Sequence, residues 1–540
     1  MRLVLSALLA WAPIVRAADD AAHPSAPPGD PAGRALGAEI ARGRIHVRAF
    51  AFEGNRHIRR ERLEALVAEF VGRSITAVEL EQARRRITHW LVRQGYVNSG
   101  ALVPDQRVRE GVVVIRIVEG RLDEVVVSGQ GSMDEDFVAA RLRHGIEAPL
   151  SLPRLLDRLR LLQNLDAIDR VQSRFDPGAS PGGGKLSVRL FEARPLQLGL
   201  TLANDRSPSV GETRTQLGVR HRSLTGRGDT LALRYGLGRG SDDWRIDYDG
   251  PLNAADLRLS ARLEASDARV VEAPFSALDI DSRSRIASLG LSWPIVESDV
   301  RTVWLGIGID RKHSETRLLG QPFSFSPGVQ DGRAVATALR LSIDGQRRGA
   351  RDALAARLSI GRGLDAAGAT RADVGPDGRF VTALAQIQWA RRIGQSGAQA
   401  LVRADLQWSR DPLLPTEKLA IGGASTVRGY RENQLVRDRA TIVSAELRFP
   451  VGESASTRMR DWRAAAFELA PFVDYGRGTN LESATPSPTW IGSAGLALRA
   501  RIGAWLSAEL QYAHRLARVE QVGRAWQDRG IHFRLEIRTP

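Results

Sequence analysis

For 345 residues after Pro195 the sequence keeps a two-residue rhythm. "LQLGLTL", "TLALRYGL", "WRIDYDG" and "LRLSARLEA" each set apolar side chains at alternate positions, with Gly, Thr, Arg, Asp or Ser between them. Successive side chains of a strand point to opposite faces, so this is the pattern of half-buried strands. Sixteen such segments can be marked, beginning with 196–202 and ending with 530–538, and they include 257–264, 285–293, 301–309, 490–500 and 502–513. An even count suits a closed antiparallel barrel. No segment has 18 consecutive apolar residues, so a membrane-resident form of this chain has to be a barrel.

Parity assigns the faces. Leu231, Leu233, Tyr235 and Leu237 fall on one side with Trp244, Ile246 and Tyr248, while Arg245, Asp247 and Asp249 fall on the other. A basic residue facing hydrocarbon costs roughly 2–4 kcal/mol near the bilayer midplane, so the apolar face is the lipid face and the charged one lines the lumen. Trp244, Trp293, Trp389, Trp408 and Trp490 lie in the lipid register near strand ends, where an aromatic girdle belongs. The competing soluble β-sandwich calls for a face richer in large aliphatics and less charge on the other. Links after odd-numbered segments include the long ones, around 265–284, 310–333, 362–379, 409–440 and 514–529, whereas "SLTGRG" and "NAAD" follow even ones. That asymmetry matches short periplasmic turns and longer extracellular loops.

The residues before the barrel, 195–540, divide further. Residues 1–17 carry Arg2, an apolar run from Leu3 to Val15 and a small-residue end, which fits a secretory signal peptide; a buried N-terminal helix is the alternative. Residues 18–44 are rich in Ala, Pro, Gly and Asp and read as a linker. Two units, 45–120 and 121–194, each read strand, helix, helix, strand, strand. In the first, "IHVRAFAF" is a strand, and Leu63, Leu66, Val67 and Phe70, then Leu80, Ala83, Ile87 and Trp90, recur at helical spacing. In the second, Leu152, Leu155, Leu156, Leu159 and Leu162 share a helical face.

The composition excludes several functions. Net charge is +15, but only Lys185, Lys312 and Lys418 are lysines and the arginines are dispersed, so no basic block marks a nucleic-acid site. There is no cysteine, hence no disulfide and no thiolate chemistry. HExxH does not occur, no paired-carboxylate pattern stands out from the general acidic background, and "PGGGK" at 181–185 has the wrong spacing for a phosphate loop, with Leu186 where Ser or Thr would hold magnesium. No enzyme activity, metal or cofactor is expected.

A signal peptide, two such modules and a sixteen-strand barrel resemble the two-partner secretion transporters (the TpsB family), whose modules are called POTRA domains. "GYVNSGALVPDQRVREGVVVIRIVEG" is similar to the family's module junction, and "NDRSPSVGETRTQLGVRHRSLTGRGDTL" to its entry into the barrel. "VRGY" (Val427, Arg428, Gly429, Tyr430) and "FVDYG" (Phe472, Asp474, Gly476) resemble its two barrel motifs, in order. Read from residues alone, Arg428 is a solvated loop arginine without a fixed partner. The resemblance implies instead that the 409–440 loop folds back into the pore and that Arg428 faces Asp474. Parity puts Asp474, Phe472 and Glu468 in the lumen and Phe467, Leu469, Pro471, Val473 and Tyr475 outside, which agrees. Gly429 permits a tight loop tip and Tyr430 can lie against the wall.

The resemblance further implies residence in the Gram-negative outer membrane with periplasmic modules. There the protein would export an unfolded secreted partner of the adhesin or cytolysin class without nucleotide hydrolysis. A barrel-insertion factor of the same superfamily and a passive porin are the alternatives. The family often carries a helix that plugs the pore, for which residues 18–44 offer a weak candidate. It also commonly ends on an aromatic, whereas this chain ends "FRLEIRTP", with Phe533 in the lipid register.

Overall fold

The computed structural model describes residues 43–129, 131–451, 465–482, 484–520 and 523–539. The expected signal peptide and most of the expected linker, residues 1–42, lie outside the described residues. Two compact units divide near residue 194.

The N-terminal unit holds two modules. In the first, Ala49–Glu53 pairs in parallel with Val112–Val118, which pairs antiparallel with Gly100–Leu102. Helices Arg60–Val67 and Ala77–Arg93 bury Leu63, Val67, Leu80, Ala83, Ile87 and Leu91. Thr76 and Glu79 start the longer helix reciprocally: the Glu79 amide donates to Thr76 Oγ1 at 3.2 Å and the Thr76 amide donates to Glu79 Oε2 at 2.7 Å.

"IHVRAFAF" departs from the single expected strand. It breaks at Arg48 into Ile45–Val47, which pairs with Arg73–Ile75, and Ala49–Glu53. Strict alternation would send Val47 and Phe50 to opposite faces, yet both are in the core, so the chain must skip a register. Gly111, at φ +74°, takes both the Arg48 and Ala49 amides on its carbonyl at that point.

The second module has Gly183–Glu192 at the centre of its sheet, parallel to Arg121–Ser128 and antiparallel to Ile168–Pro177. Its helices are Glu135–Arg143 and Leu152–Gln163. Leu155, Leu159 and Leu162 are buried, but Leu156 is exposed, contrary to the expectation. The 155, 159, 162 ridge already fills the facing groove, and Leu156 lies a hundred degrees round the helix from Leu155.

The second unit is a closed barrel of sixteen consecutive antiparallel strands among the described residues, with one two-residue addition at Gln321–Pro322. In order they are Leu196–Ala203, Arg214–Arg222, Thr230–Gly238, Ser241–Pro251, Arg258–Arg269, Asp281–Glu297, Arg301–Leu318, Arg333–Arg348, Asp352–Leu364, Val381–Ile393, Ala398–Ser409, Arg439–Val451, Ala465–Thr479, Trp490–Ile502, Leu506–Arg515 and Ile531–Arg538. The sixteenth closes on the first through five residue pairs, Arg534↔Ala203 to Arg538↔Gly199. Closure leaves no free sheet edge, which spanning a bilayer requires.

Parity holds around the wall. Leu233, Tyr235, Leu237 and Trp244 are exposed outward, while Arg245 meets Glu264, and Arg234 and Arg262 meet Asp247, on the inside. Trp293, Trp408 and Trp490 are exposed in the lipid register, and Trp389 is half-buried. Several expected boundaries differ. About half of each of the links 265–284 and 310–333 is strand, because the fifth, sixth and seventh strands run on to Arg269, from Asp281 and to Leu318. Charged residues on the outer face of these extensions hide the alternation of hydrophobicity, although the ladder continues through Arg269↔Asp281 and Asp281↔Arg317. The fifteenth strand begins at Leu506, because the fourteenth continues through Ile502 and the turn sits at Gly503 with φ +53°.

Candidate functional site

The twelfth and thirteenth strands present a small polar array to the lumen. Ser444 is directly opposite Asp474, and Glu446 is opposite Phe472. On the next strand Ser493 neighbours Asp474, and Gly495 neighbours Phe472. A Cβ at Gly495 would come within 2.6 Å of Phe472 Cζ, so the glycine leaves room for the ring to lie flat along the wall.

The loop after Ser409 covers this array. Inside it, Leu419–Ile421 pairs with Leu435–Arg437, and Gly422 and Gly423, at φ +111° and +101°, lead into the tip. Asp474 lies five residues from the strand end at Thr479, so the tip descends roughly 17 Å along the wall at the rise of an extended chain.

Arg428 is the centre of the contact. Its Nε donates to Asp474 Oδ2 at 2.7 Å and its Nη2 to Asp474 Oδ1 at 2.8 Å, a two-pronged grip, while its backbone amide reaches Oδ2 at 3.0 Å. Nη1 donates to Glu446 Oε2 at 2.6 Å and Nη2 also reaches Ser444 Oγ at 3.1 Å. The guanidinium lies 3.3 Å from the Phe472 ring centroid. Side-chain exposures of 7% for Arg428, 0% for Asp474 and 8% for Glu446 remove the screening that makes surface ion pairs weak. The structure thus brings Arg428, Phe472 and Asp474 together, and Arg428 is not the solvated arginine that the residues alone suggest.

The neighbouring motif residues shape the approach. Gly429, at φ +88°, lies so close to the wall that a Cβ would be 2.7 Å from that of Ala513, and its amide donates to His532 Nε2 at 3.1 Å. Tyr430 is fully buried; its hydroxyl donates to Gly492 O at 2.8 Å and accepts the Ala517 amide at 3.1 Å. Val427 joins Ile421, Tyr430 and Leu435 of the loop against Ile442 and Ile491 of the wall. Gly476 lies beneath this cluster: a Cβ there would be 2.3 Å from Ile421 Cγ2 and 2.9 Å from Val427 Cγ2.

Other parts of the site escaped sequence reasoning. Glu446 also takes Arg448 at 2.7 Å and Arg499 at 2.8 Å, and Arg499 continues to Glu509. "AELRF" carried the signal, since Ala445, Leu447 and Phe449 alternate outward around Glu446 and Arg448. A second clamp had none. Arg431 grips Asp528 at 2.6 and 2.7 Å and Glu272 at 2.8 and 2.9 Å, joining the loop tip to the links 516–530 and 270–280. The Asp528 fork raises the Arg431 guanidinium above its ordinary value despite burial. The two wall carboxylates around Arg428, Asp474 and Glu446, are matched by arginine, and no cluster with metal-ligand composition occurs among the described residues. Away from the loop, Arg220, Arg234, Arg245 and Glu264 line a lumenal cavity of about 440 Å³.

A closed barrel with a charged interior, a loop pinned inside it and α+β modules ahead of it defines an outer-membrane barrel with periplasmic POTRA-type modules. Residues 182–501 match the family described as haemolysin secretion/activation protein ShlB/FhaC/HecB, and residues 45–120 match the POTRA domain of ShlB type. The chain belongs to that family, the outer-membrane transporters of two-partner secretion.

Curated relatives are distant. The outer membrane transporter CdiB of Dickeya dadantii is 24% identical over 27% of this chain and 26% of its own length. The heme/hemopexin transporter protein HuxB of Haemophilus influenzae is 20% identical over 38% of this chain and 37% of its own, and CdiB of Escherichia coli O6:K15:H31 is 21% identical over 71% and 65%. The chain therefore spans about a quarter to two-thirds of the curated relatives that it matches. Among solved structures, CdiB from Escherichia coli superposes with a TM-score of 0.72 at 17% identity, covering 100% of this chain and 96% of that one. BamA from Haemophilus ducreyi lacking POTRA domains 1–3 gives 0.54 at 14% identity, covering 92% and 100%. These likenesses establish the fold.

Proposed function

We propose that this protein is a pore through which an unfolded secreted polypeptide, of the adhesin or cytolysin class, crosses the outer membrane. Its modules, 45–120 and 121–194, receive the polypeptide in the periplasm, where an extended segment can add to a sheet edge or lie in a groove. Translocation proceeds without nucleotide hydrolysis, because folding of the cargo outside biases its thermal motion outward. The loop 409–440 occupies the resting lumen, and the Arg428–Asp474 grip holds its conformation.

One observation carries the reading. A charged side chain at the tip of an inter-strand loop is nine-tenths buried inside the barrel and bound by two carboxylates of its wall. Burying ions is expensive unless every partner is supplied, so a loop that only covered a pore mouth has no physical reason to place Arg428 there. Replacing Arg428 with Ala should abolish most export while the barrel remains inserted, as read by heat-modifiable gel migration. Normal export by that variant would reject the role assigned to the grip.

A further inference from the structure

The outer face of the fifth to eighth strands carries a group of charges that neither the lumen nor the loop explains. Alternation turns Leu289 and Ile309 toward lipid, and both are exposed there. Continuing outward on the same face, the sixth strand shows Arg285, Arg283 and Asp281, and the seventh shows Arg311, Glu315 and Arg317. The acids are already engaged. Asp267 takes Arg285 at 2.7 Å, Asp281 takes Arg269 at 3.2 Å and Glu315 lies 3.6 Å from Arg333. Arg311 donates to the Ala367 carbonyl at 3.2 Å. Arg283 and Arg317 have no hydrogen-bond or ion-pair partner among the described residues, and they stand on neighbouring strands at diagonal positions, since Arg283 faces Glu315. Diagonal neighbours are roughly 7–8 Å apart, so two guanidinium forks can close on one phosphate.

Height identifies the ligand. Arg283 lies six residues beyond Leu289 and four beyond Ala287 along a strand, which at ~3.3 Å per residue and a tilt of about 40° is roughly 15 Å above the last large aliphatic and about 10 Å above the last apolar side chain of that face. A phospholipid headgroup reaches only about 5–8 Å beyond the hydrocarbon. The geometry points to a binding site at Arg283 and Arg317 for a phosphate carried on the sugar portion of an outer-leaflet glycolipid. Elsewhere on the barrel, Tyr475, Trp490 and Tyr512 occupy the outer end of the lipid face. The site is independent of the export reading, because it faces away from the lumen.

The test uses the detergent-purified full chain with four probes: lipopolysaccharide carrying a phosphorylated core, the same lipid after chemical dephosphorylation, phosphatidylglycerol micelles and inorganic phosphate. The intact lipopolysaccharide should bind in preference to the other three. The double variant Arg283→Gln, Arg317→Gln should bind it about 25-fold more weakly, at roughly fivefold per arginine. Arg477→Gln, on the thirteenth strand, should bind as the unaltered chain does, and all three proteins should keep heat-modifiable migration. Undiminished binding by the double variant, equal binding of the dephosphorylated lipid, or equal binding of phosphatidylglycerol or phosphate would each overturn the assignment.

Discussion

Removing the Arg428 side chain leaves Asp474 fully buried, with only the Ser444 hydroxyl at 2.6 Å and the Arg428 amide at 3.0 Å as donors. Glu446 is less affected, because Arg448 and Arg499 still hold it. Breaking a buried pair by deleting one partner costs about 3–5 kcal/mol, since the other charge stays uncompensated. At ~1.4 kcal/mol per decade, Arg428→Gln should therefore raise the undocked fraction of the loop by two to three and a half orders of magnitude. The chain has no cysteine, so a single Ser425→Cys places one maleimide-reactive thiol at the tip, and its labelling rate reports undocking. The rate should rise at least 100-fold in Arg428→Gln, up to the limit set by a fully free loop. Adding Asp474→Asn removes the orphaned charge, so the double variant should be less undocked than the sum of the single effects by about 1 kcal/mol or more. Strictly additive effects, or an unchanged labelling rate in Arg428→Gln, would refute the claim that this pair holds the loop.

Other outcomes follow from the same geometry. Gly476→Val places side-chain atoms where Ile421 and Val427 already lie, so the loop should loosen by about 1–3 kcal/mol with the barrel intact, raising Ser425→Cys labelling. Burial opposes ionisation of Asp528, yet the Arg431 fork and the Ala525 amide hold its carboxyl below the usual value of 3.8. Its contribution to the outer clamp is therefore present above that value and fades as pH falls through the depressed one. Hydrogen exchange of the 516–530 link should stay constant from pH 7 to 5, after correction for intrinsic rates, and Arg431→Gln should accelerate it. In the first module, Thr76→Ala removes the cap of Ala77–Arg93, and amides of its first two turns should exchange about fivefold faster, the equivalent of ~1 kcal/mol.

Sequence alone determined the architecture, because a bilayer imposes a local rule. Every second side chain of a spanning strand must tolerate hydrocarbon, and that period survives in "TLALRYGL" or "FELAPFVDYG" without knowledge of any partner. The modules were legible for the same reason, through the helical spacing of Leu80, Ala83 and Ile87. Where a local rule lapsed, the reading lapsed too. The outer halves of the sixth and seventh strands carry charge on the exposed face, and Val47 and Phe50 share a core only because the chain slips one residue at Arg48.

The site divides along the same line. The face of Asp474 followed from parity, but Arg428 read as solvated until a resemblance supplied its partner. Only the tertiary structure decided that Glu446 and Ser444 complete the grip, that Gly476 clears the loop's path, and that Arg431 bridges Glu272 and Asp528 across sequence separations of 159 and 97 residues. Such contacts depend on closure of the barrel and on where a long loop descends, and neither leaves a period in the chain.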